Sequence, residues 1–513
     1  MDGSGSGKSA SYSIPNASQL LGSYVFTDPK GELYDKTAGF LKSNGYDIKV
    51  LNLVRPQNSD GYNPIFHITS ELDVDVIANT IVKGQKTGDT SDPYWDDMAE
   101  MLLKALIYYL MATRPKEEQN LASCAELVRA ANTNGGSNLL TERINELPYD
   151  HPARRYYKSI EIAPEKTYGS ILSSLQSKLG KFDSEEIAAV TSTNTIDFMD
   201  IGRKKTAVYV ISSDTHTAYD FLLTIFFSQM IQHLYDFADE NGGALPMPTY
   251  FILDEFANIG RIPDFDKKIS TSRSRKISFS VILQNLDQLE AVYKESFETI
   301  IGNCDTHVFL GSNSQKTVEY FSKALGEKTI QRESISINRD RQHLKQGSSE
   351  SEQVMGRALL TPDELRRFDN DYCIIYEKGI KPIKAKKYYY FEKPIAKRLS
   401  AVRLNHNEVE EMDRGRWRKY NPYNPYAEGS NNKPKQDLKV ESLDDLFEDE
   451  EPKKEEKIDL LKMEEEAPVL PQEEKIENIK DDITVDEPFS EDIQKELEAK
   501  FDELFGPMED TEE

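Results

Sequence analysis

The 513-residue chain predicts an α/β protein with a parallel sheet, an all-helical insertion and a disordered acidic tail. Three observations carry this reading. Short apolar runs alternate with helical patterns in the first 90 residues and again after residue 205, which is the rhythm of β-α-β units. Between residues 92 and 190 that rhythm stops and only helical spacing remains. After about residue 414 the chain becomes rich in Glu, Asp and Lys and poor in apolar residues, so it cannot bury a core.

The chain begins with Asp2-Gly3-Ser4-Gly5-Ser6-Gly7-Lys8-Ser9, which reads as a phosphate-binding loop. Gly3, Ser4, Gly5, Ser6 and Gly7 would turn backbone N–H groups inward around a polyphosphate. Lys8 would reach the β- and γ-phosphates, and the Ser9 hydroxyl would ligate Mg²⁺. The full pattern is G-x-x-x-x-G-K-[ST], and Asp2 stands at its first glycine. That position starts the loop and does not hold phosphate. Such a loop joins a strand to a helix, and no residues precede Met1 to form the strand. Alone, the stretch also reads as a flexible Gly/Ser linker.

Residues 21–26 then read as a strand, a helix runs to about residue 43, and residues 47–53 form the next strand. The turn Asp28-Pro29-Lys30-Gly31-Glu32-Leu33 puts Lys30 and Glu32 at a strand end, where open α/β sheets bind ligands. Asp92-Pro93 is a helix start, a cap followed by proline in the first turn. Met98, Met101, Leu102, Ala105, Leu106 and Tyr109 follow at helical spacing, and residues 121–131 and 167–179 are further helices. These helices form an inserted layer or cover the sheet.

The strand rhythm resumes over residues 206–211, with a helix over 219–237. Pro248-Thr249-Tyr250-Phe251-Ile252-Leu253-Asp254-Glu255 is an apolar strand ending in two carboxylates, the Walker B form. Asp254 would hold the Mg²⁺ shell and Glu255 would polarise the attacking water. Residues 277–283 form a strand ending at Gln284, whose amide can contact the γ-phosphate or the water, or simply cap the strand. Arg273 and Arg275 lie in the Ser/Thr-rich turn before it. One of them would act as an arginine finger across a subunit interface, or both are solvated or contact nucleic-acid phosphates together with Lys276. Residues 307–310 read as a strand, 315–325 as a helix, and 331–357 as a polar, mobile loop. Residues 360–365 lead into a helix, and strands at 372–376 and 383–385 flank a turn at Gly379.

Charge is uneven. Residues 437–513 carry 31 acidic and 9 basic side chains, −22 of the chain's −26. The remaining residues are nearly balanced, so local basic patches are open to them. Two amphipathic islands, 443–447 and 489–506, interrupt the tail. The second has Ile493, Leu497, Phe501, Leu504 and Phe505 on one helical face, suited to a partner's groove. Cys124, Cys304 and Cys373 are odd in number and far apart, which points to a reducing compartment and no metal motif. No apolar run reaches the roughly 18–20 residues of a membrane span.

Taken together, Gly-Ser-Gly-Lys-Ser, Asp28-Pro-Lys-Gly-Glu-Leu33, Ile252-Leu-Asp-Glu-Phe-Ala-Asn-Ile-Gly260, Val281-Ile-Leu-Gln284 and Arg357-Ala-Leu-Leu-Thr-Pro-Asp363 resemble the type IV secretion coupling proteins of the VirD4/TraG group over residues 1–400. The resemblance implies a RecA-like P-loop NTPase domain in two parts, 1–91 and 191–400. An all-α domain, 92–190, is inserted between them, and a linker, 401–436, leads to the acidic tail, 437–513. It implies ATP and Mg²⁺ as cofactors, with Glu255, Gln284 and Arg273 catalytic. It further implies a hexamer on the cytoplasmic face of the bacterial plasma membrane. That hexamer would bind DNA without sequence preference and link a relaxase–DNA complex to the secretion channel. Relatives carry an N-terminal membrane anchor before the phosphate loop, so this sequence reads as truncated or mis-started. Two other readings stand beside it: an FtsK/HerA-type DNA translocase, and a truncated remnant that binds partners without turning over ATP.

Overall fold

The computed structural model describes residues 7–84, 93–131, 138–213, 219–338, 347–409 and 413–422. Those residues all fall within one compact unit, Met1–Lys433. Among the described residues the strands are β1 (Ser23–Thr27), β2 (Asp47–Asn52), β3 (Thr206–Ile211), β4 (Thr249–Leu253), β5 (Ile277–Val281), β6 (Thr306–Phe309), β7 (Glu327–Asn338), β8 (Gly347–Ala358), β9 (Tyr372–Glu377) and β10 (Ile383–Lys386).

The first five make a wholly parallel sheet in the order β2-β3-β1-β4-β5. Val25 pairs with Val208 on one side and Phe251 on the other, so β1 is central and every one of its residues is buried. A strand covered on both faces has no polar side to show, which is why the three central strands β1, β3 and β4 read as largely apolar runs. Tyr24 and Phe26 face a cluster with Leu33, Leu41, Val50, Tyr209 and Leu399, under the helices Glu32–Ser43 and Ile395–Ala401. Val25, Val208, Val210, Phe251 and Leu253 face the opposite way, into the larger core that holds the nearly buried helix Asp220–Glu240.

That larger core continues without a break into the helices that follow β2. Pro93–Thr113, Leu121–Ala130, Leu139–Asn145, Pro152–Glu161, Glu165–Leu179 and Glu185–Ser192 succeed one another with no strand among the described residues. The helix Glu71–Lys83 packs against Pro93–Thr113. Ser70 and Asp73 form a reciprocal cap at its start, a signal that sequence inspection passed over.

A second sheet, β10-β9-β6, is antiparallel. The mobile loop expected at 331–357 is corrected: β7 and β8 pair in an antiparallel ribbon from Glu327 with Ala358 to Asn338 with Gly347. Its sequence is polar along most of its length, so no one-sided apolar alternation announced the strands. Residues 402–409 and 413–422, read as linker, lie on the folded unit. Asp35 accepts hydrogen bonds from the His406 backbone N–H (2.7 Å) and is 2.9 Å from its Nδ1. Arg418 pairs with Glu118 at 2.6 Å, and the buried Tyr420 lies beneath the Arg114 guanidinium. The residues 437–513 and both islands lie outside the described residues.

Candidate active site

The site is built at the carboxyl ends of the parallel strands, where the backbone runs out of sheet and side chains converge. β1 and β4 end side by side, and the Thr27 hydroxyl donates to the Asp254 carbonyl at 2.6 Å. Glu255, the next residue, takes a left-handed backbone, φ 51° and ψ 46°. A non-glycine residue there costs on the order of 1–3 kcal/mol and persists only when its surroundings enforce it. Here Phe256 N–H donates to the Ile282 carbonyl (3.1 Å) and Asn258 N–H to the Glu255 carbonyl (2.8 Å). The strained turn leaves both carboxylates at the strand end.

Glu255 is the meeting point. Gln284 Nε2 lies 2.9 Å from both of its carboxylate oxygens, and Lys8 Nζ is 3.3 Å from Oε1. Ser9 Oγ lies 3.5 Å from Asp254 Oδ2. Burial pushes the Asp254 carboxyl above its ordinary range, while the Lys8 charge pulls it down. Lys8, Ser9, Asp254, Glu255 and Gln284 are therefore one group, drawn from three separate stretches. Gly7 has φ 73°, and Lys8 leads into the turn Ser9–Ser13, which runs on into the helix Ile14–Ala17. Gly3, Ser4, Gly5 and Ser6 lie outside the described residues.

The donor set suits a magnesium nucleotide. Ser9 and Asp254 offer two hard oxygen ligands, the small number magnesium takes when phosphates and waters complete its octahedron. Among the described residues no cluster of three or more His, Cys, Asp or Glu is placed to hold a metal by itself. Lys8 is a cation at the same spot, 3.3 Å from Glu255.

The remaining candidates are less closely drawn in. Arg273 is 92% exposed and meets Asp305 at 3.8 Å. Arg275 is tied down: it pairs with Asp239 at 2.9 Å and lies over the Tyr235 ring. Lys30 and Glu32 are exposed at the start of the helix Glu32–Ser43.

Sequence reading missed Asp28. It is buried just past β1 and accepts the Tyr34 backbone N–H at 2.8 Å. Desolvation pushes its carboxyl up to about 7, against the pull of that hydrogen bond and of nearby His406. The folded protein therefore keeps this proton from about pH 4, where the unfolded chain sheds it, up to about pH 7. The stabilisation is full at the acid end and is lost as pH rises through that window. Asp28→Asn is expected to abolish this part of the pH dependence and to be the more stable protein at pH 8, by at most about 4 kcal/mol. Thermal melts of both proteins from pH 5 to 8 check this, and equal slopes would contradict it.

The parallel sheet and the group at its edge define a RecA-like P-loop NTPase fold. The chain belongs to the family described as type IV secretory system conjugative DNA transfer, whose model matches residues 1–412. Protein VirD4 of Rhizobium rhizogenes is 24% identical over 408 residues, 77% of this chain and 58% of the relative. Conjugal transfer protein TraG of Escherichia coli is 25% identical over 435 residues, 77% of this chain and 67% of the relative. The chain thus spans little more than half the length of VirD4. In fold it matches the plasmid coupling protein TrwB, solved in complex with ADP and Mg²⁺. There the TM-score is 0.53 at 15% identity, over 75% of this chain and 84% of that one. Membership of this family stands against the FtsK/HerA-type reading. Among the described residues no helix is long and apolar enough to cross a membrane.

Proposed function

We propose that this chain is the ATP-hydrolysing motor of a conjugative coupling protein, which links a relaxase–DNA complex to a type IV secretion channel and powers DNA transfer. The observation that carries the reading is the convergence of Lys8 and Gln284 on Glu255 beside the Ser9–Asp254 pair. Two domains make up the working unit: the nucleotide-binding part, 1–91 with 191–400, and the helical part, 92–190.

Lys8 holds the β- and γ-phosphates, with the backbone N–H groups of residues 3–7 around them. Ser9 and Asp254 hold Mg²⁺, which neutralises phosphate charge when bound. Lys8 is paired with Glu255 in the present arrangement. Once it turns to the phosphates, that carboxylate is free to orient a water and take its proton. Gln284 keeps the carboxylate in place through its amide. Arg273, long, exposed and weakly held, is the arginine that reaches a neighbouring subunit in a hexameric ring, whereas Arg275 is occupied at home. We place the ring on the cytoplasmic face of the bacterial plasma membrane, with the acidic tail recruiting relaxosome proteins.

DNA contacts are to phosphate, so they weaken steeply with salt. The test is ATP turnover with and without DNA at rising salt, with Arg273→Ala beside the wild type. Turnover is expected to rise with DNA and to lose that rise at high salt. Arg273→Ala is expected to bind nucleotide normally and to hydrolyse it about 10³-fold more slowly. DNA-independent turnover would contradict the coupling role, and full turnover by Arg273→Ala would remove the finger.

A further inference from the structure

We propose that Tyr389 and Phe391 form a stacking platform for the base of the bound nucleotide. This rests on the reading of Gly7–Ser9 as a phosphate loop. The run Tyr388-Tyr389-Tyr390-Phe391 follows β10 and folds back over the start of the chain. Tyr389 lies edge-on against Gly7: a Cβ there would sit 2.9 Å from its Cε1 and 3.5 Å from its hydroxyl oxygen. With φ at +73° as well, that position accepts glycine for two separate reasons.

The ring is held in place. Its hydroxyl donates to the Asn370 carbonyl at 3.3 Å. The Asn370 side chain in turn accepts from Lys387 Nζ at 2.8 Å, and Lys387 is itself buried and also donates to the Leu310 carbonyl at 2.8 Å. Tyr389 stacks on Phe391, with centroids 5.2 Å apart and planes 24° from parallel. Tyr390 meets Phe391 edge-on and packs against the core beneath the sheet. The result is an anchored aromatic pair whose outer member, Phe391, is 58% exposed. Through Tyr389 this exposed phenyl ring is tied to Gly7 of the phosphate loop, and it offers a flat apolar face on which we place the nucleotide's base. Every base has a π-face, so such a platform binds without choosing between bases.

The experiment separates the base from the phosphates. Affinities of ATP, GTP and inorganic tripolyphosphate are measured by calorimetry for the full chain, Phe391→Ala, Phe391→Trp and Tyr389→Ala. Phe391→Ala is expected to weaken ATP and GTP alike, on the order of tenfold, and to leave tripolyphosphate unchanged. Phe391→Trp is expected to restore nucleotide binding. Phe391 is exposed, so its variants test the platform without disturbing Gly7, whereas Tyr389→Ala also removes the loop's neighbour. Equal loss of ATP and tripolyphosphate in Phe391→Ala would show a brace for the loop and overturn the proposal, as would unchanged ATP affinity. A wild-type chain that binds neither ATP nor tripolyphosphate would instead defeat the phosphate-loop reading beneath it.

Discussion

Lys8→Ala is expected to weaken ATP binding about 100-fold or more while leaving the fold intact. A lysine on a polyphosphate makes charge-assisted hydrogen bonds worth about 1.5–3 kcal/mol each. The fold should survive because the one ion pair lost is the 3.3 Å contact with Glu255. That contact is part-exposed and contributes about 1 kcal/mol at most. Gln284 still satisfies the carboxylate through two 2.9 Å contacts. Calorimetric titration with a non-hydrolysable ATP analogue, alongside a thermal melt, checks both halves. Unchanged affinity would mean that the glycine-rich start is a linker. A collapsed melting temperature would mean that Lys8 is structural.

The centre of the sheet was legible because β1, β3 and β4 are buried on both faces. Val25, Val208 and Phe251 sit in runs with no polar interruption, and such runs point to strands whatever lies beside them. The placing of Gln284 at the end of the strand after β4 was legible, but its contact with Glu255 was not, because a sequence does not show which side chains two strand ends bring together. What escaped was whatever depends on backbone conformation or on distant chain. Nothing in Leu253-Asp254-Glu255-Phe256 signals that Glu255 turns left-handed, because glutamate has no preference for that region. The β7–β8 ribbon was hidden by its polar sequence. The seat of Tyr389 on Gly7 joins residues more than 380 positions apart, and no local pattern encodes such a contact. The aromatic run 388–391 was its only available trace. Residues 402–422 look like a linker in composition, yet His406, Arg418 and Tyr420 each find a specific partner. Asp28 stood inside a recognised motif, but its burial, which raises its carboxyl, follows from the fold around it and not from the local sequence.

Glu255 is proposed to be the group that activates water in a working ATPase. General-base assistance by a positioned carboxylate contributes about 10²–10⁴-fold to a rate. An amide of the same shape keeps the contacts but cannot take a proton. The measurement is phosphate release from Mg·ATP in the presence of DNA, for the wild type and for Glu255→Gln, with nucleotide affinity determined on the same samples. Both proteins are predicted to bind Mg·ATP with the same affinity, and Glu255→Gln to release phosphate about 10²–10⁴-fold more slowly. Release by Glu255→Gln at the wild-type rate would contradict the assignment. A wild type that binds Mg·ATP but releases no phosphate with DNA present would contradict the motor itself and leave a nucleotide-binding remnant.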